Sequence, residues 1–229
     1  MLKNNSYMKA YLNTIKESVI NKASVKKYQS IAKEIGGEYI LETNTIDCKG
    51  NKVEFKNDWI NEDGSFDFKL ITISNDWSFM FSECSNLTHL PEDFIIPQHV
   101  VDTNRMFYNC ISLTHLPEHF TIPQSVVNIN RMFFRCVCLK HLPKSLLIPN
   151  GVEDCSFMFA RCYDLIDLPE NFTIPNTVQY CINMFYNCIS LKELPIGFNI
   201  PSEAKCEHIF LNCDQLKNNN SDTYKMLEI

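Results

Sequence analysis

Apolar residues in this chain return on a fixed count. A unit of the form Met-Phe-x-x-Cys-x-x-Leu-x-x-Leu-Pro-x-x-Phe-x-Ile-Pro-x-x-Val starts at Met80, Met106, Met132, Met158 and Met184, 26 residues apart each time, with a shortened copy at Ile209 after 25. The octapeptide MFYNCISL occurs letter for letter at Met106–Leu113 and Met184–Leu191. Within it Met106, Phe107, Cys110 and Leu113 fall at i, i+1, i+4 and i+7, which places them on one side of a helical turn. Further on, Leu116, Phe120 and Ile122 recur, and the Phe-x-Ile alternation predicts a brief extended stretch. Pro117 and Pro123 punctuate it, since each removes a backbone donor and biases the preceding residue to an extended conformation. One such unit cannot bury its apolar side alone. Five full copies stacked would give continuous columns of Met, Phe, Cys, Leu and Ile. The prediction is an α/β repeat solenoid of short strands and short helical turns over residues 65–216, with partial repeats at each end.

A stack of repeats exposes its core at the ends and needs caps. Residues 1–64 are expected to form an N-terminal α+β cap or small domain. Met8, Tyr11, Leu12, Ile15 and Val19, then Tyr28, Ile31 and Ile35, trace two helical stripes that stop at Gly36-Gly37. The stretch Glu38–Phe55 reads as strands with a turn at Lys49-Gly50-Asn51. Phe68, Leu70 and Trp77 precede Phe94, Ile96 and Thr103 by 26 residues, which suggests a half-repeat over 65–79. Residues 217–229 read as a polar C-terminal tail.

With the unit laid out, MFYNCISLTHLPEHFTIPQSVVNINR resembles the 26-residue repeat of bacterial surface proteins, the BspA-like leucine-rich repeat family. The resemblance covers about residues 80–216. It implies a curved α/β solenoid used for protein binding or adhesion, with no shared catalytic residues.

Charge and cysteine content refine this picture. Residues 1–36 hold seven Lys and two Glu, so the rest of the chain sums to −11 within an overall −6. A body that acidic argues against nucleic acid as the main ligand, because phosphate binding needs a basic surface. No apolar run reaches the ~18–20 residues of a membrane helix. The N-terminal sequence lacks an apolar leader core and a cleavage site, which places the chain in the cytoplasm. Of eleven Cys, six form one repeat column (Cys84, Cys110, Cys136, Cys162, Cys188 and Cys213), and Cys155, Cys181 and Cys206 form a second. Equivalent side chains on stacked rungs point the same way, so both columns are expected to be small buried hydrophobes with reduced thiols.

Specificity in a repeat protein sits at the positions that vary. One column reads His89, His115, His141, Asp167 and Glu193, a polar stripe whose imidazoles and carboxylates are of the kind that hold divalent metals. A second reads Ser82, Tyr108, Phe134, Ala160 and Tyr186. It lies opposite the buried side, where a row of exposed aromatics suits a protein interface. The Cys136-x-Cys138 pair would need two more ligands, Cys155 or Cys162 among them, to hold zinc. No phosphate loop, HExxH or GxSxG motif is present. The sequence therefore reads as a non-catalytic binding module with a protein partner and no cofactor. A surface adhesin, an inhibitor from a phage or mobile element that docks on a host defence protein, and a metal-dependent enzyme using the His/acid stripe are the alternatives.

Overall fold

The computed structural model describes residues 22–48, 53–66, 69–71 and 74–219. They divide into two compact units. One contains the segment up to Val53 together with the strand around Leu70, and the other contains Glu54–Phe66 and the chain from Ser74 onward. The leading segment of the first unit thus ends eleven residues before the expected boundary at 64. What had read as a single half-repeat is shared between the two units.

In the first unit, helix α1 (Lys22–Glu34) buries Tyr28 and Ile31 of the second predicted stripe, together with Ala32, while Ile35 of that stripe lies past the helix end and is half-buried. Its stop is a left-handed Gly36, with the Gly36 and Gly37 N–H groups donating back to the Lys33 and Ala32 carbonyls. Only a residue without a Cβ enters that conformation freely. The first predicted stripe, Met8 to Val19, lies outside the described residues. Strands β1 (Glu38–Ile40) and β2 (Thr45–Asp47) pair antiparallel, and β2 pairs parallel with β3 (Lys69–Ile71), Ile46 facing Leu70. The hairpin turn is a 3-10 turn at Leu41–Thr43, closed by left-handed Asn44. It precedes the expected Lys49-Gly50-Asn51 turn, which is outside the described residues.

The second unit is the repeat. Each rung stacks its Met, Phe, Cys and Leu on the next. The rings of Phe81, Phe107, Phe133, Phe159, Phe185 and Phe210 lie nearly parallel, with centroids 5.2, 5.3, 5.5, 5.5 and 5.3 Å apart. A second column, including Phe94, Phe120 and Phe172, packs edge-on against the first at about 6 Å. Each ring so buried contributes about 1.5–3 kcal/mol through the apolar area removed from water.

The backbone differs from the predicted helical turn. Two residues per rung are left-handed: the one before Met (Phe79, Arg105, Arg131, Phe157, Asn183, His208) and the third after it (Glu83, Asn109, Arg135, Arg161, Asn187, Asn212). Consecutive tight turns result. Met106, Tyr108 and Cys110 N–H groups each close back three residues, while those of Thr103, Arg105, Phe107 and Asn109 donate to carbonyls of the following rung at 2.8–3.1 Å. Alternate amides thus stitch the rungs together, and no buried donor in the segment is wasted.

The predicted strands around Phe-x-Ile are also absent from the described rungs. All ten prolines accept a turn-closing bond from the residue three positions on, as in Phe120 N–H to Pro117 and Val126 N–H to Pro123. Two such turns leave too little chain between them to extend. The only parallel bridges among the described rungs join Asp76, Asp102, Asn128, Asp154, Tyr180 and Lys205 in succession. The expected polar tail begins within a short helix α2 (Asp214–Asn219). Residues 220–229 are outside the described part.

Candidate functional site

The cysteine column shows how closely backbone and side chains are matched. Cys84, Cys110, Cys136, Cys162, Cys188 and Cys213 are buried free thiols. Each S–H donates to the Phe carbonyl of the preceding rung, as in Cys110 to Phe81 at 3.0 Å and Cys136 to Phe107 at 3.2 Å. Burial pushes the thiols up, to about 12 at Cys84 and Cys162 and well above the usual range at Cys110, Cys136 and Cys188. These side chains are structural.

In the second column the expectation of reduced thiols fails at one pair. Cys181 and Cys206 are joined as a disulfide with their Cα atoms 4.5 Å apart. Parallel Cα–Cβ vectors do not prevent this, because rotation about the Cα–Cβ bond lets two sulfurs one rung apart swing towards each other. Cys155 stays free, its S–H directed at the Tyr180 carbonyl and the Met184 sulfur.

A column the hydrophobic pattern did not single out is Asp76, Asp102, Asn128 and Asp154. Each side chain accepts the N–H two residues on, at 2.8, 2.7, 3.1 and 2.8 Å. Asp and Asn close their own turns in this way, and the 26-residue spacing of the four was visible in the sequence.

The predicted His/acid stripe separates into two pairs. The imidazoles of His89 and His115 stack 5.7 Å apart, their Nδ1 atoms taken by the hydroxyls of Thr88 and Thr114 at 2.9 Å. His141 Nδ1 sits 3.0 Å from the Asp167 carboxylate, both side chains more than half exposed. Glu193 is exposed at the far end. Among the described residues no three metal-ligating side chains converge, at this stripe or at Cys136 and Cys138.

The aromatic column is only partly continuous. Tyr108 and Phe134, both half-buried, stack 5.1 Å apart with planes 5° from parallel. The next rung places a fully buried Ala160 there, so Tyr186 stands apart from the pair. Phe157 extends the aromatic surface instead, 6.4 Å from Phe134 and edge-on. Arginines complete it: Arg161 lies over Phe134 at 5.7 Å and Arg131 over Phe157 at 4.3 Å. Sequence reading missed Phe157, Arg131 and Arg161. Their signal was the position before Met and the third after it, which carry all four arginines of the chain.

Two overlapping stretches, residues 64–145 and 123–224, match the family described as Mycoplasma protein of unknown function, DUF285. The chain belongs to that family. The matched DUF285 region takes in every rung from Met80 to Leu216. Solved structures give weaker likenesses. A leucine-rich cell surface protein from Faecalibacterium prausnitzii is 20% identical over 66% of this chain, with a TM-score of 0.47, and the match spans 38% of that protein's length. A leucine-rich repeat protein of T. pallidum is 17% identical, with a TM-score of 0.49 over 84% of this chain and 92% of its own. Comparison with curated proteins returns no match.

Proposed function

We propose that this chain is a non-catalytic, leucine-rich-repeat-type binding module of the BspA-like kind, and that it holds a protein partner on the rung faces carrying Tyr108 and Phe134. The observation that carries this reading is the stacked pair itself. Two large rings stay half-exposed on a backbone tied rung to rung, so little side-chain entropy is lost when a partner covers them. Tyr and Phe so held are typical anchors of protein interfaces. The names of the similar structures, a cell surface protein and a leucine-rich repeat protein, agree with such a role. No described helix is long and apolar enough to cross a membrane.

The His/acid stripe is the second reading, favoured by the exposed His141–Asp167 pair. Capturing the partner with purified Tyr108→Ala/Phe134→Ala and His89→Ala/His115→Ala/His141→Ala proteins separates the two. Loss in the first variant alone supports the aromatic face. Cell fractionation of the native host distinguishes a cytoplasmic module from a surface adhesin.

A further inference from the structure

The chain has four arginines among its 21 basic residues, and all four fall at two positions of the repeat unit, in the rungs that carry Tyr108 and Phe134 and the one that follows. Arg105 and Arg131 occupy neighbouring rungs at the position before Met. Arg135 and Arg161 occupy neighbouring rungs at the third position after it. The lysines, by contrast, lie elsewhere in the repeat unit, and the chain outside its first 36 residues is strongly acidic. A guanidinium cluster in an acidic protein would be expected to carry its own carboxylate partners. None of the four forms an ion pair among the described residues.

The neighbouring carboxylates are engaged elsewhere. Asp102 accepts the Asn104 N–H and the Asn128 amide, Asp154 accepts the Ser156 N–H and the Asn130 amide, and Glu83 accepts the Asn109 amide. The arginines instead hold neutral groups. Arg105 and Arg131 each donate to the Asn one residue before, at 3.0 and 2.7 Å, and three of the four lie over rings: Arg105 on Phe79, Arg131 on Phe157 and Arg161 on Phe134. Arg161 Nε is closed off from solvent with no acceptor. Half-burial of Arg131 and the like charge of Arg105 disfavour its cation, and the nearby Asp154 carboxylate offsets this only in part. Oriented guanidiniums without a direct carboxylate partner, beside half-exposed aromatics, form a surface prepared for anions.

We propose that this arginine–aromatic patch binds an acidic segment of the protein partner, its carboxylates forked by Arg105, Arg131, Arg135 and Arg161 while an aromatic or apolar residue covers Tyr108 and Phe134. The proposal rests on the protein-binding reading above and names the partner's chemistry. Carboxylates at intervals along a peptide suit the patch better than a polynucleotide, whose unbroken row of phosphates would meet the acidic remainder of the repeat.

Fluorescence anisotropy with a labelled (Glu-Tyr)6 peptide tests it, beside (Lys-Tyr)6 and a dT12 oligonucleotide. The Glu-Tyr peptide should bind, more weakly as salt rises, and the other two should not. Arg131→Gln/Arg161→Gln should weaken binding at least tenfold. Arg131→Lys/Arg161→Lys should also weaken it, because an ammonium keeps the charge and loses the planar fork. Thermal melts establish that each variant is folded. If the Gln pair unfolds, the exposed Arg135→Gln should still give a severalfold loss. Failure of the Glu-Tyr peptide to bind, tighter binding of dT12, or binding indifferent to all the arginine changes overturns the proposal. If native-partner capture depends on Tyr108 and Phe134 but not on the arginines, the acidic-ligand inference falls and the aromatic-face reading stands. Capture that depends on neither set removes both.

Discussion

Cys136 illustrates what one residue is asked to do in this repeat. It must be small enough for a filled core, apolar enough to be buried, and able to donate to the Phe107 carbonyl at 3.2 Å. Ser would fit the space with a more strongly hydrated hydroxyl, and Ala would leave the carbonyl without this donor. The column should therefore resist alkylation: Cys110, Cys136, Cys162 and Cys188 are expected to label only after denaturation, as read by mass spectrometry of tryptic peptides. The same thiols predict a pH effect. Their folded-state values lie above the unfolded one, so the stability they contribute is complete below about pH 9 and declines as pH rises towards 12 and beyond. Each contributes at most about 1.4 kcal/mol per pH unit in that window. Urea midpoints measured from pH 8 to 10.5 should fall, and a flat profile would mean the column is exposed. Adjacent residues give the sharpest contrast. Phe133 is fully buried between Phe107 and Phe159, so Phe133→Ala should cost about 3–5 kcal/mol. Phe134 is half-buried on Tyr108, and its loss should cost about 1 kcal/mol. Equal losses in a denaturant titration would contradict the inward–outward phasing.

Hydrophobic spacing identified the buried residues of each rung but not the backbone that buries them. Met106, Phe107, Cys110 and Leu113 face inward as an i, i+1, i+4, i+7 set would on a helix. A chain of tight turns with left-handed residues at Arg105 and Asn109 buries the same four positions. The apolar pattern cannot distinguish the two, whereas the polar pattern carries a hint. Asn109, Asn187 and Asn212 share one left-handed position, and no β-branched residue occupies any of the twelve such sites. Asn tolerates that conformation and a β-branched side chain does not. Asn183→Val should therefore destabilise the protein by about 1–2 kcal/mol, while Asn183→Gly should be neutral or better. Thermal denaturation of the pair decides this. The Phe-x-Ile strands were misread for a related reason. Alternation alone suggested extension, but Pro117 and Pro123 each begin a turn that consumes the intervening chain.

At the level of the whole molecule, the stacking of the repeat was legible because duplication writes the same core into every rung. The ends were less so. Phe55 is 26 residues before Phe81 and its N–H reaches the Met80 carbonyl, as Phe81 reaches Met106, which makes Glu54–Phe66 a worn rung of the second unit. It has neither the Cys nor the prolines that mark the others, so its sequence signal had faded. Function was the least legible, since what distinguishes one rung from another is a handful of polar and aromatic substitutions. Of the eight candidate site residues, Tyr108 and Phe134 are stacked together, His89 pairs with His115, and His141 pairs with Asp167. The proposed binding role belongs to the first of these groups. The most direct test is calorimetric titration of the purified native partner into wild-type, Tyr108→Ala/Phe134→Ala and His89→Ala/His115→Ala/His141→Ala proteins, each shown to be folded. If the aromatic face binds, the aromatic pair should lose about 2 kcal/mol or more, roughly thirtyfold in Kd, and the histidine variant should change little. Unchanged affinity in the aromatic variant, with binding lost in the histidine variant, would contradict the aromatic-face reading.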